Sequence, residues 1–317
     1  MATSSTEIVH DFFPLIRVYK DGRIERMRDR QIAPASVDQE TGVKSKDVEI
    51  SKEFNVSARL YLPNNSKPGE KLPLLVYFHG GAFVIESAFS PEYQKHLNLL
   101  VNEANVMIVS VDYRLAPEFP LPCAYEDSWL ALQWIASHSI GEGSDQWLKD
   151  YADFNRVYFG GDSAGGNIAH NMAIKVEMEK LEGINLLGFF LNCPYFWGKD
   201  PIGDEMVKTD IKKFLDNLWL FLHPNTTGLN DPLINPVVDP NLYKLEGKKV
   251  LIFVAEKDIL KHRGLYYKEA LEKIGNVEFV EFEGEEHVFN LASPQCENAL
   301  LMVKKLAVFL NQNGDKL

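Results

Sequence analysis

Gly160-Gly161-Asp162-Ser163-Ala164-Gly165-Gly166-Asn167 joins two stretches of different character. Val157-Tyr158-Phe159 leads in as an apolar, β-prone run. Ile168, Met172 and Val176 lead out four residues apart, the spacing of one helix face. Strand, sharp turn and helix, with Gly161-x-Ser163-x-Gly165 at the bend, form the context of a nucleophile elbow. The reversal needs small neighbours, because a Cβ at 161 or 165 would meet the returning chain. It also holds Ser163 in a strained backbone conformation. The serine hydroxyl then points out above a sheet. The N–H of Ala164, at the helix N-terminus, is left free to meet an oxyanion. A pentapeptide of this kind also arises by chance in a plain glycine-rich turn, so the rest of the chain must decide.

Working outward, continuous apolar runs at 74–78, 106–111, 157–159, 186–191, 250–254 and 277–282 read as strands buried on both faces. Helical periodicity falls between most of them, at 93–104, 123–137, 166–181, 262–274 and 294–311. Before them, 48–50 and 56–62 alternate like an antiparallel, half-buried pair. The expectation is one α/β domain over 1–317, with a mostly parallel sheet of about eight strands flanked by helices. Two regions fall outside this rhythm. Residues 1–30 carry apolar Phe12, Phe13 and Ile16 and a hairpin signal at Asp21-Gly22. About 55 residues between Leu191 and Val250 contain no strand, yet hold a helix with Phe214, Leu215, Leu218, Trp219 and Leu222 on one face. That helix either packs on the core or caps a pocket above Ser163.

Three further stretches converge on the elbow. His79-Gly80-Gly81-Ala82-Phe83 follows a strand, where glycines let the backbone turn N–H groups toward a ligand. Gly80, Gly81 and Ala164 are the expected oxyanion donors, and His79 reads as a brace for the loop. Asp258 follows the 250–254 strand and His287 follows the last one. Ser163, Asp258 and His287 thus stand in the order Ser…Asp…His of this fold's triads. A serine hydroxyl is a weak nucleophile alone, so imidazole must take its proton and carboxylate must orient the imidazole. His262 and Glu256 are the competing base and acid. Phe83 and Leu218 are the expected pocket residues.

With these residues assembled, the chain resembles the plant carboxylesterases of the α/β-hydrolase fold, related to the hormone-sensitive-lipase group. The resemblance rests on the His79–Phe83 stretch, Asp112-Tyr113-Arg114-Leu115-Ala116-Pro117-Glu118, Gly161–Asn167, the Asp258 stretch and Gly284-x-x-His287-x-Phe289. It implies Ser163 as nucleophile, His287 as base, Asp258 as its orienting acid, an oxyanion hole from Gly80, Gly81 and Ala164, and a lid from the N-terminal segment and residues 195–245. Ala82 replaces a glycine, and Ile259 a proline, common among relatives. Arg114 and its carboxylates are expected to fix a loop beside the oxyanion hole.

Composition narrows the function classes. The 317 residues carry a formal net charge of −12 and no Lys/Arg-rich run, which argues against nucleic acid as a partner. Cys123, Cys193 and Cys296 are odd in number and widely spaced, so neither a disulfide framework nor a metal site is expected. Met1-Ala2-Thr3-Ser4-Ser5 lacks the features of a secretory signal, no apolar run is long enough to span a bilayer, and a cytoplasmic location is expected. The expected function is a serine carboxylesterase acting on a small-molecule ester without cofactor or metal. The same resemblance includes isoflavanone dehydratases and gibberellin receptors. Retained Ser163 argues against the first, and His287 against the second. The natural ester and the oligomeric state are not set by the sequence.

Overall fold

The protein is described by a computed structural model covering residues 6–28 and 30–312. The signal-peptide reading of residues 1–5, and the parts of the lid and domain expectations that fall on residues 1–5, 29 and 313–317, lie outside the described residues.

The chain opens with a separate antiparallel sheet of β1 (Ile8–Phe12), β2 (Ile16–Tyr19) and β3 (Ile24–Arg26). The Asp21-Gly22 turn pairs Val18 with Ile24, and Gly22 takes the positive φ of 85° that the turn requires. Then β4 (Lys44–Ser51), β5 (Val56–Leu62) and β6 (Leu72–Phe78) lead to α1 (Pro91–Ala104). β7 (Met107–Asp112), α2 (Cys123–Ser139), α3 (Gln146–Tyr151) and β8 (Ala152–Asp162) follow. Next come α4 (Ala164–Glu179), β9 (Leu186–Asn192), α5 (Thr209–Leu222) and β10 (Lys249–Ala255). The chain closes with α6 (Lys261–Leu271), β11 (Val277–Phe282), α7 (Phe289–Ala292) and α8 (Glu297–Asn311).

The main sheet has eight strands in the order β11-β10-β9-β8-β6-β7-β5-β4. All pairs are parallel from β11 to β7, and β5 runs antiparallel to both β7 and β4. Alternation along β6 explains its unbroken apolar sequence. Leu74, Val76 and Phe78 enter the core on the side of α2, α3, α4 and α6, while Leu75 and Tyr77 enter the core beneath α1 and α8. From β6 the chain steps to β7 on one side and then crosses to β8 on the other. The strand order therefore reverses at β6/β8, and the crevice at the carboxyl ends of these two strands is where open α/β sheets place their ligands.

Candidate active site

The elbow sits in that crevice. β8 ends at Asp162, α4 begins at Ala164, and Ser163 between them holds φ 50° and ψ −116°. Its backbone is locked on both sides. Ser163 N donates to Asn192 O at 2.9 Å, and Ser163 O accepts from Tyr195 N at 2.9 Å. A Cβ on Gly161 would stand 2.5 Å from the carbonyl carbon of Gly165, and one on Gly165 would strike the Phe78 carbonyl, so the bend admits glycine alone at both positions.

Asp258 and His287 arrive from the loops after β10 and β11. His287 Nε2 lies 2.9 Å from Ser163 Oγ, and His287 Nδ1 lies 2.6 Å from Asp258 Oδ2. With Nδ1–H donating to the carboxylate, Nε2 is the acceptor for the serine proton. Asp258 is buried, and its other oxygen accepts the Leu260 N–H at 2.9 Å. Burial pulls the His287 pKa down, but the Asp258 charge and hydrogen bond, with a contribution from Cys193, outweigh it and raise the pKa well above its ordinary value. Burial pushes Asp258 up, and the imidazole together with the hydrogen bonds to His287, Leu260 and Cys193 brings it below its ordinary value. His262 and Glu256 are engaged elsewhere. His262 Nδ1 faces the Asp204 N–H at 3.5 Å, and Glu256 accepts the Gly284 N–H at 2.7 Å.

Cys193 was not expected here. It follows β9 in a left-handed conformation, with φ 46°. Its sulfur, an Asp258 oxygen and a His287 nitrogen lie within 4.8 Å of one another. By donor type this set suits a soft metal, but Asp258 and His287 already face each other at hydrogen-bond distance.

The oxyanion loop corrects the sequence reading at two positions. Gly80 N–H is not free: it donates to the Tyr93 hydroxyl at 2.7 Å, and that hydroxyl donates to Asp162 Oδ2 at 2.8 Å. Tyr77 donates to the other Asp162 oxygen at 2.7 Å. Burial pushes Asp162 up, the two tyrosine bonds pull it back, and it comes to rest at about 6. The backbone N–H groups of Gly81, Ala82 and Ala164 bond to none of the described residues, and both Gly81 and Ala82 line the cavity with Ser163. The unengaged N–H groups of this loop are therefore those of Gly81 and Ala82, one residue along from the expected Gly80 and Gly81.

Phe83 is the second correction. Gly81, Ala82 and Phe83 all hold positive φ, at 94°, 52° and 62°, and the turn is closed by Val84 and Ile85 N–H groups on Gly81 O. This left-handed turn drives the Phe83 ring under the loop. There it is fully buried, 5.9 Å from the Tyr125 ring, and it does not line the cavity. His79 braces the loop from below, with Nδ1–H on Gly80 O at 2.8 Å and its ring stacked on Tyr113 at 4.2 Å. Burial lowers its pKa to about 3, which keeps it neutral.

The cavity in front of Ser163 measures about 920 Å³. Two segments cover it. From the N-terminal segment, Pro14, Leu15 and Arg28 reach its wall, and from α5 come Ile211, Leu215 and Leu218. The two covers touch where Phe12 packs on Phe214 and Phe221 at 5.8 and 4.9 Å. Trp219 and Leu222, one turn around the same helix, are buried in the core, so α5 both packs and caps. The carboxylates of the 112–118 motif hold the N-terminal segment. Arg26 grips Glu118 through two bonds of 2.6 and 2.9 Å and reaches the carbonyls of Val84 and Ala116, and Arg30 pairs with Asp112 at 2.9 Å. Arg114 instead forks onto Asp127 of α2 at 2.7–3.1 Å. On the α5 side, buried Arg263 pairs with buried Glu205 at 2.6 Å and also reaches the Asp200 carbonyl at 2.8 Å.

An elbow at the switch point of a parallel sheet, with acid and histidine brought in by the loops after later strands, defines an α/β-hydrolase. The family model for the alpha/beta hydrolase fold matches residues 75–291. A 2-hydroxyisoflavanone dehydratase of Glycyrrhiza echinata is 46% identical, over 97% of this chain and 98% of its own. Probable carboxylesterase 2 of Arabidopsis thaliana is 43% identical, over 98% of this chain and 99% of its own. Among solved structures, an esterase of Pyrobaculum calidifontis superposes with a TM-score of 0.69 at 26% identity, covering 84% of this chain and 82% of that one. The chain belongs to the plant carboxylesterase family of α/β-hydrolases. Among the described residues no helix is long and apolar enough to cross a membrane.

Proposed function

We propose that this protein is a serine carboxylesterase that hydrolyses a small-molecule ester through an acyl-enzyme, with Ser163, His287 and Asp258 as its triad. The observation that carries the reading is the unbroken hydrogen-bonded chain from Ser163 Oγ to His287 to Asp258, opening on a cavity. Ser163 Oγ attacks the ester carbonyl carbon as His287 Nε2 takes the hydroxyl proton. The carbonyl oxygen becomes an oxyanion and meets the N–H groups of Gly81, Ala82 and Ala164, each fixed donor being worth roughly 3 kcal/mol in such sites. The imidazolium, steadied by Asp258, returns its proton to the departing alcohol. Water then repeats the sequence on the acyl-serine and releases the acid. No step calls for a metal or cofactor.

The cover from the N-terminal segment and residues 195–245 acts as a lid on one α/β domain and sets substrate range. Placement in the cytoplasm rests on cysteine usage, with three free thiols. A second reading, a dehydratase using the same oxyanion donors, is favoured by the name of one 46% identical relative. A fluorophosphonate and a p-nitrophenyl ester test the first reading. Stoichiometric labelling of Ser163 with ester turnover is expected. A 2-hydroxyisoflavanone losing water, with no ester hydrolysed, would transfer the assignment to the lyase.

A further inference from the structure

Among the described residues, five carboxylates line the cavity in front of Ser163. Two are fully engaged in the scaffold. Asp162 takes bonds from Tyr77 and Tyr93, and Asp258 takes them from His287 and the Leu260 N–H. Glu92 and Glu286 stand exposed at the surface. Glu86 is of neither kind. Its side chain is 16% exposed, sheltered in the wall yet reachable from solvent. Among the described residues its one hydrogen-bond partner is Arg28 Nη1, at 3.3 Å.

The oxyanion loop sets its position. Glu86 follows the left-handed turn at 81–83 and is itself left-handed, with φ 71°. A Cβ on Gly81 would stand 3.1 Å from the Glu86 Cβ, so this side chain leaves the backbone directly against a donor residue of the loop. A residue other than glycine is strained at such a φ, and strain of this kind persists where the fold enforces it, often beside functional groups. An ionised carboxylate offers about four acceptor positions, and the single long bond from Arg28 leaves most of them open. Arg28 is 71% exposed, so this pair is weak and parts readily for a competing donor. The α5 part of the wall has the opposite character, with apolar Ile211, Leu215 and Leu218. The cavity thus combines an apolar wall with one placed carboxylate acceptor, the pattern by which small-molecule sites orient a ligand.

Building on the esterase reading above, we infer that Glu86 is a specificity-determining residue that accepts a hydrogen bond from a hydroxyl group of the substrate. The substrate class is accordingly an amphipathic ester, with a hydroxyl-bearing portion at Glu86 and an apolar portion along α5. Arg28 beside the carboxylate offsets its charge, which suits a neutral hydroxyl better than an ammonium group. A site built around such an acceptor discriminates against analogues that lack the hydroxyl, because the bond is then not made.

The test compares the full chain with Glu86→Ala, Glu86→Gln and Arg28→Ala on two matched pairs. One pair is p-nitrophenyl butanoate and p-nitrophenyl 3-hydroxybutanoate, which probes the acyl side. The other is ethyl butanoate and 2,3-dihydroxypropyl butanoate, followed by acid release, which probes the alcohol side. The readout is the ratio of kcat/KM between the hydroxyl-bearing and the plain member of a pair. The wild type is expected to favour the hydroxyl-bearing member of at least one pair by about tenfold or more. Glu86→Ala should bring that ratio close to one, chiefly through KM. Glu86→Gln, which keeps the shape and one carbonyl acceptor, should fall between the two. Arg28→Ala should hold or raise the ratio, because it frees the carboxylate. A wild-type ratio near one for both pairs would overturn the assignment, as would a ratio unchanged in folded Glu86→Ala. Loss of the ratio in Arg28→Ala but not in Glu86→Ala would move recognition to the guanidinium. A thermal melt checks folding, and if Glu86→Ala does not fold, a Glu86→Gln ratio equal to that of the wild type overturns the role. Fluorophosphonate labelling separates this failure from that of the parent reading. A wild type labelled at Ser163 but indifferent to the hydroxyl refutes only the role of Glu86. A wild type neither labelled nor hydrolytic refutes the esterase, and the role of Glu86 with it.

Discussion

Replacing Tyr93 with Phe tests the link between the elbow and the oxyanion loop. The hydroxyl is buried, accepts the Gly80 N–H at 2.7 Å and donates to Asp162 at 2.8 Å. Its removal orphans one buried N–H and takes one donor from a buried carboxylate. Each loss is worth about 2 kcal/mol, or roughly 3–5 kcal/mol together, when Asp162 is ionised. In melting temperature this is roughly 6–12 °C. Part of the deficit depends on pH. Asp162 stands at about 6 against an ordinary 3.8, so its contribution to stability is complete below the ordinary value and is lost as pH rises through 6. Tyr93 is one of the groups holding that pKa down, so Tyr93→Phe raises it further. The gap between variant and wild type should therefore be smaller at pH 5 than at pH 8. Thermal melts at the two values measure it. Activity gives a second readout. If Gly80 serves to anchor the loop, kcat falls about tenfold with little change in KM, because the neighbouring Gly81 and Ala82 donors lose their register. If Gly80 were itself a donor, freeing its N–H would hold or raise kcat. Unchanged melts at pH 8 together with an undiminished kcat would refute the relay.

His287→Ala should match the loss of several orders of magnitude expected for Ser163→Ala, while His262→Ala keeps most activity; rates on one ester for the three variants decide. Because His287 must be neutral to act as a base and Asp258 raises its pKa, the acid limb of kcat/KM should lie above pH 6.5. Asp258→Asn should move that limb to lower pH while lowering the plateau by on the order of 10⁴, as read from a pH–rate profile. Deleting residues 1–25 should weaken hexanoate ester turnover more than acetate, with fluorophosphonate labelling retained; an unchanged chain-length preference in a folded deletion would end the lid assignment for that segment.

Most of the sheet was legible because its strands are buried on both faces and read as continuous apolar runs. β1 was not, since Ile8–Phe12 is largely exposed and becomes a strand through pairing with β2. α3 is only six residues long, too short to show a period. That β5 runs antiparallel to β7 as well as β4 is a property of strand order, which no local pattern carries. At the site, the elbow was readable because its chemistry is local: a serine between glycines, between a strand and a helix. The loss of Gly80 as a donor was not, because its acceptor, Tyr93, belongs to α1 and meets it only in the folded crevice. Phe83 was misplaced because three successive left-handed residues reverse the direction that a simple loop suggests. Cys193 sits beside Asp258 and His287 through the register of β9 with β10, and nothing in its sequence neighbourhood marks it.

The two covers of the cavity are fastened differently. The α5 side is riveted by Arg263 and Glu205, only 4% and 1% exposed, and parting a buried pair of this kind costs about 3–5 kcal/mol. Arg263 also lies five residues beyond Asp258, in the helix that follows its loop. The N-terminal arginines pair where water and salt reach at least one partner, so single pairs such as Arg28–Glu86 are worth only about 0.2–1 kcal/mol, while Arg26 adds a bidentate grip on Glu118 and two carbonyl bonds. Raised ionic strength should therefore weaken the arginine pairs of the N-terminal segment before the Arg263–Glu205 pair, while the apolar anchorage of Phe12 and Ile16 in the core is left in place. On the lid reading proposed above, a bulky ester would enter on the arginine side, the side not joined to the Asp258 loop by the Arg263–Glu205 pair.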